Sequence, residues 1–381
     1  MKGIGGKTMW AGVLAALTAG VGGCVLQTSP PDVNPLRARI DAQTILMQTA
    51  DTADPVTRVH AIEALANALG AQAGGTFKQN LGDPNAVVQF AAAMAVGDVR
   101  YAPAKPVLVE MAQKEGPNKV VYAGVIYALH CLGDDTFTSD LQRLLFHREK
   151  DVRASAAMVM GKMGEPSASG LLQDLLRDER DPGVRFQATE ALALLGDESS
   201  AQRIEAYTKG YFMDLRLAAI PSLAKVGARN ASSILMDRLK DPSPRVRVVA
   251  AGALAELGQT RDESYEYCIR ALREPREVLR EALPASQKIT EIEVSSLQAL
   301  AARALGQMRR PGAVNELYPL MKATDGKVRV AAAMSVLKLA APAGIAPPPE
   351  APAAGSDKPA TTAPAATPPP KVRLHTAGAR D

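Results

Sequence analysis

Aromatic side chains are scarce in this 381-residue chain: one Trp, eight Tyr and six Phe make up 4% of it. A core with so few rings is built from small aliphatic side chains and Ala, which argues against an aromatic-rich enzyme barrel. Cysteine and histidine are equally thin, with three Cys and four His that are scattered, apart from the neighbours His130 and Cys131. There is no CxxC, no HxxxH and no Cys/His cluster, which excludes a structural zinc site as far as spacing can and gives no reason to expect a metal or cofactor. Charge of one sign is also missing. Lys and Arg number 44 against 40 Asp and Glu, a net of +4, too little for the electrostatic footprint of a nucleic-acid binder. The apolar, Gly-rich run from Met9 to Gly23 has 15 residues, too short to span a bilayer as a stable helix. What is present, 47% apolar and 22% charged residues, describes a folded chain.

Lys2 and Lys7 ahead of that apolar run give the order of an export signal, basic then apolar then small. It ends in Val21-Gly22-Gly23-Cys24, which resembles the lipobox of bacterial lipoproteins. The resemblance implies a signal over 1–23, cleavage before Cys24, and lipidation of Cys24 as a membrane anchor. More than one acyl chain makes such an anchor firm. Without Lys2 and Lys7 the mature charge falls to about +2. Val25 follows the Cys, which the resemblance reads as favouring the outer over the inner membrane, facing the periplasm. Residues 24–36 then form a tether, turn-rich from Val25 to Pro35 with Pro30, Pro31 and Pro35, a stretch that reaches ~30 Å when fully extended. At the other end residues 341–381 hold ten Pro and twelve Ala with little aliphatic bulk. Such a segment buries too little to offset its ordering entropy, so it is expected to be a disordered tail.

Between these ends one phrase recurs: Asp-Pro-x-Val-Arg, then Ala, Leu and Leu-Gly. Asp181-Pro-Gly-Val-Arg-Phe-Gln-Ala188, followed by Leu192, Leu195 and Gly196, shows it well. The residues at the Arg place are Arg58, Gln89, Tyr122, Arg153, Arg185, Arg216, Arg247, Gln298 and Arg329, at intervals of 31, 33, 31, 32, 31, 31, 51 and 31. Within a unit, apolar spacing such as Val246, Ala250, Leu254 and Leu257 is a helical stripe that Gly258 stops. A shorter stripe, as at Leu171, Leu172, Leu175 and Leu176, precedes each Asp-Pro, whose proline suits a first helical turn. Each unit is therefore predicted to be a two-helix hairpin.

On these residues the chain resembles HEAT repeats, in particular the short bacterial variety of phycobilisome lyase subunits, over residues 37–340. The resemblance implies an all-α solenoid of about nine units, with second helices on the concave side of an extended superhelix ~80 Å long. It also implies that Arg58, Arg153, Arg185, Arg216, Arg247 and Arg329 form a structural ladder with the Asp of stacked turns. That ladder lapses at Gln89, Tyr122 and Gln298.

Candidate chemistry is sparse. His60, His130 and His147 fall in different units with no Ser elbow beside them, and none is followed by Glu as in HEAT-type iron hydroxylases, so no catalytic residue is assigned. Cys131 and Cys268 are four units apart and are expected to be buried, unpaired thiols. Six residues beyond the Val place of each second helix runs a row that includes Glu63, Met94, Tyr127, Met158 and Glu190. If exposed on the concave face, Met94, Tyr127 and Met158 make a partner-binding patch; if the curvature is tight, they are core. Pro221 stands mid-helix in this row and should kink its unit. The 51-residue interval marks an insertion around 262–296, with a helix expected from about Glu263 to Leu272. An extra short helix after Pro275 and a polar loop are expected to protrude from the edge of the stack. The expected function is a lipid-anchored, non-enzymatic scaffold for a protein or peptide partner in the bacterial envelope. A HEAT-type lyase-like or modifying protein and an envelope spacer are the alternatives.

Overall fold

The computed structural model describes residues 33–52, 54–114 and 118–340. Cys24, the export segment and the Pro/Ala-rich tail lie outside the described residues, which form helical hairpins with no strand among them. The pairs are α1 (Pro35–Thr52) with α2 (Pro55–Leu69), α3 (Gly74–Asn80) with α4 (Ala86–Asp98), and α5 (Lys105–Gln113) with α6 (Lys119–Cys131). Next come α7 (Asp140–Leu145) with α8 (Lys150–Met163), α9 (Ser169–Asp178) with α10 (Pro182–Leu194), and α11 (Glu198–Tyr207) with α12 (Met213–Lys225). The rest are α13 (Ala231–Arg238) with α14 (Pro244–Glu256), α15 (Asp262–Arg273) and α16 (Pro275–Ala282) with α17 (Glu291–Gln307), and α18 (Ala313–Leu317), extended by the 3-10 turn Tyr318–Lys322, with α19 (Gly326–Leu339). An all-α solenoid of nine units is thus what the described residues build.

The recurring phrase explains the start of each second helix. The Asp181 carboxylate accepts from the amides of Gly183 and Val184, and Pro182 fills a position whose missing N–H costs nothing. Asp54 accepts from the Thr57 amide at the start of α2, Asp325 accepts from those of Lys327 and Val328 at the start of α19, and Thr290 with Glu293 forms a capping box on α17. The Arg place has two jobs. Its guanidinium satisfies carbonyls left open at the end of the preceding helix: Arg185 donates to the Leu176 and Glu179 oxygens at 3.0 and 2.9 Å, and Arg329 to that of Ala323 at 2.7 Å. Where the next unit offers an acid, the side chain also crosses to it, as Arg58 to Asp83 (2.9 Å), Arg153 to Glu179 (2.6 Å) and Arg216 to Asp241 (2.5 Å). The ladder of six is therefore a ladder of three. Arg247 lies over the Tyr267 ring at 4.8 Å instead. Two of the three lapses are filled by other chemistry: the Tyr122 hydroxyl donates to Asp140 (2.5 Å) and the Gln298 amide to the Leu272 carbonyl (3.0 Å).

Second helices pack side by side from α2 to α19, while first helices touch chiefly their own hairpin partner and the neighbouring second helices. Small residues allow the close spacing: a Cβ at Gly161 would sit 2.6 Å from the Ala191 Cα, and one at Gly97 2.7 Å from the Tyr127 ring. The helix α12 runs through Pro221 as one element. The inserted α16 buries Val278 and Leu279 in the core instead of protruding; only the segment after it is largely exposed.

The largest departure from expectation is closure. The stack is not an open superhelix, because α19 packs against α1 and α2 and makes the second helices a ring of nine. Asn315 Oδ1 accepts from the Val33 amide (3.0 Å), Arg39 donates to the Leu337 carbonyl (3.1 Å), and the Tyr318 hydroxyl donates to Asp41 (2.6 Å). One continuous apolar cluster holds Ala38, Ala42 and Leu46 together with Val330, Val336 and Leu337, so the join between the two ends of the described chain is core. The physical reason is additive: a rotation of about 40° per unit, summed over nine, returns the stack to its start.

Candidate partner-binding surfaces

A ring of hairpins has an inner wall and two rims. The rim where first helices turn into second helices is the turn rim; the rim where each unit passes to the next is the link rim.

The inner wall does not present the sequence-derived patch. Met94 is 8% and Tyr127 4% exposed, and Met158 is half-buried, so the exposed reading of this row is corrected. Tight curvature is the cause: the Tyr127 ring lies against Gly97 of α4, and its hydroxyl donates to Asp98 Oδ1 at 2.6 Å. Lys162 closes the cluster, 2.6 Å from the same carboxylate oxygen and 4.9 Å over the Tyr127 ring. It reaches across α6 from two units away, a clamp that only a tightly concave wall permits. Burial, then Asp98, raise the Tyr127 hydroxyl far above its usual range, so it stays a donor. Of the same row, Glu63 and Arg303 are exposed and Glu190 accepts from the Ser222 hydroxyl at 2.6 Å.

The histidines stay apart in separate units. His130 Nδ1 is 2.6 Å from Asp135, at a cavity of about 460 Å³ with an apolar floor that includes Met160, Met163 and Leu171. His60 is 3.5 Å from Glu63 within α2, and His147 Nδ1 accepts from the Glu149 amide. Among the described residues no group of acidic, His and Cys side chains could hold a metal ion. Cys131 and Cys268 are free, and of the two expected to be buried only Cys268 is, Cys131 being half-buried; burial raises both thiols, Cys268 to about 12.

The rims carry what sequence reasoning missed. Six large apolar side chains are exposed on the turn rim: Val56, Val87, Phe146, Tyr211, Phe212 and Ile292. Tyr211 is 95% exposed and meets Phe212 edge to face at 5.7 Å. Neither belongs to the helical periodicity, so only the turn chemistry between α11 and α12 could have flagged them. The chain itself enters and leaves at the opposite face: Val33 and Ala340 both lie at the link rim, beside α18 and the end of α19.

A family model described as HEAT repeats matches residues 43–130, 114–193, 138–210 and 201–286. No curated protein matches the sequence. Among solved structures, human deoxyhypusine hydroxylase in complex with glycerol is similar at 17% identity, covering 80% of this chain and 99% of that one, with a TM-score of 0.33. The complex of CpcE and CpcF of phycocyanin lyase from Nostoc is similar at 19% identity, over 69% and 94% of the two chains, with a TM-score of 0.34. An engineered protein is similar at 18% identity, over 78% and 98%, with a TM-score of 0.26.

Proposed function

The chain belongs to the HEAT-repeat family, and from that premise we propose that it is a non-enzymatic scaffold, anchored through Cys24 to a membrane of the bacterial envelope, that takes a protein partner on its turn rim. The observation that carries this reading is the division between the rims. Both ends of the described chain leave from the link rim, and Cys24 precedes Val33 by nine residues, a reach of at most ~30 Å. The opposite rim carries Val56, Val87, Phe146, Tyr211, Phe212 and Ile292 in water. Exposed aromatic residues set in a polar surface are the composition of an interaction site, because their area is large and their rotamer entropy small.

Two substitutions test the two halves of the proposal. Cys24→Ala moves the protein to the soluble fraction after an alkaline wash. Tyr211→Ser with Phe212→Ser, in the lipidated chain, removes a cross-linked protein partner from membranes while the melting temperature stays within about two degrees, since exposed changes cost under ~0.5 kcal/mol. Unchanged membrane retention of Cys24→Ala defeats the anchor, and unchanged cross-linking of the double variant defeats the turn rim as the partner surface.

A further inference from the structure

The second helices end on the link rim in a left-handed residue, the conformation that glycine adopts without a Cβ penalty. Gly133, Gly164, Gly196, Gly227 and Gly258 serve five consecutive units there, with φ between 65° and 92°. At the same place α4 and α17 are followed by Arg100 and Arg309, at φ 51° and 53°, which no other non-Gly residue among the described residues shares. Both units therefore hold an arginine in a conformation that disfavours it. The two flank the closure of the ring, one on each side of the point where the chain enters and leaves.

The charge on this rim follows the same division. Around the chain ends, Arg37, Arg100, Arg261 and Arg309 are exposed, with Arg310 paired to Asp262 and Arg37 to Asp41, and Glu263 is an exposed acid beside Arg261. Across the ring, the links of the third to fifth units carry Asp134, Asp135, Glu165, Asp197 and Glu198, of which Asp134 faces Lys105, Asp135 faces His130 and Glu198 faces Arg229. The basic half also holds the two large apolar side chains exposed away from the turn rim: Leu36 at 67% and Ile40 at 53%. They stand four residues apart on one face of α1, in its first two turns, with Arg37 between them.

We propose that this half of the link rim is a second membrane contact, in which Leu36 and Ile40 enter the headgroup region of an anionic phospholipid bilayer and Arg37, Arg100, Arg261 and Arg309 lie against its phosphates. The occupant follows from the chain outside the described residues. If Cys24 carries the lipid, as the proposed function holds, the bilayer surface is no more than ~30 Å from Val33. The nearest part of the fold is then this basic, apolar edge. Aliphatic side chains rimmed by arginine suit an interface whose charge is negative and whose interior is apolar. The acidic links on the far side are repelled by the same surface, so the ring tilts and lifts that side, leaving the turn rim clear.

The full lipidated chain, reconstituted into vesicles of phosphatidylglycerol and phosphatidylcholine with brominated acyl chains, tests this by fluorescence quenching. Trp10, the one tryptophan of the sequence, leaves with the 1–23 signal, so the lipidated chain has no tryptophan background against Leu36→Trp or, on the opposite rim, Val87→Trp. The expected result is at least twofold stronger quenching at position 36 than at 87, falling toward the level at 87 when phosphatidylglycerol is omitted or salt raised. Adding Arg100→Gly and Arg309→Gly supplies the residue that five other units use. That variant should melt higher than its parent while its quenching at 36 drops by half or more. Equal quenching at 36 and 87 overturns the contact. Emission from 36 that is already blue-shifted without vesicles, and unmoved by them, also overturns it, because protein then covers the face, whether the 341–381 tail or a second copy. Flotation with vesicles in high salt reads the lipid on Cys24 separately, so loss of flotation condemns the anchor and loss of quenching alone condemns the rim.

Discussion

A single methylene decides how closely two inner-wall helices approach. Gly161 faces the backbone of Ala191, which cannot rotate away as a side chain would. Gly161→Ala therefore gains up to ~1 kcal/mol of helix propensity but meets an overpacking cost of ~1–3 kcal/mol. Net destabilisation is expected, seen as a melting temperature lower by a few degrees. Gly170, in α9 with nothing within 4 Å of its Cβ position, is the control. Gly170→Ala should leave the melting temperature equal or slightly higher, and calorimetry on both variants checks the pair. The Arg place was legible in the sequence because it recurs at a fixed interval; its partners were not, because they depend on whether the next unit happens to offer an acid. Likewise the row of Met94 and Tyr127 could be read from the spacing, but the burial of Tyr127 comes from Gly97, a neighbour one unit away whose meaning is geometric.

Among the helices, α16 shows how far element prediction carries. Pro275 and Pro284 punctuate the segment, and the apolar spacing of Val278, Leu279, Ala282 and Leu283 between them is helical, so the existence and limits of α16 were in the sequence. What that face covers was not: the pattern says that a side is buried without naming the surface that buries it. In the fold α16 packs against α15 and α17, with Leu279 4% exposed. Leu279→Ala should cost ~2–4 kcal/mol, whereas the exposed Glu277→Ala should stay within ~0.5 kcal/mol. A urea midpoint that falls for the first and holds for the second, at unchanged slope, is the expected outcome. Removing 276–290 would then unfold part of the core, so this segment is no neutral spacer.

Taken whole, the molecule holds its ends together partly through a titratable bond. The Tyr318 hydroxyl, against some opposing burial and with help from Arg37, holds the Asp41 carboxyl below its ordinary value. A carboxyl lowered in the folded state stabilises above the unfolded value of ~3.9, and that stabilisation is lost as pH falls through the folded value. Asp41→Asn should thus lower the melting temperature at pH 7, and the gap from the parent should shrink toward pH 3; a gap independent of pH would remove Asp41 from the seam. Closure was the feature least legible in the sequence. The nine-fold repeat is local and shows itself in spacing, but a ring or an open superhelix differ only by a few degrees of rotation per unit, which no residue spells out.

That closure also sets the order in which the chain can finish folding. The seam joins residues 277 to 298 positions apart, and their contacts have no partner until the last unit exists. Until then α1 offers Ala38, Ala42 and Leu46 as an unpaired edge, and the α19 of another molecule fits it as well as its own. At high concentration two half-closed chains can exchange these ends, giving dimers with the same helices and the same seam contacts, made between molecules instead of within one.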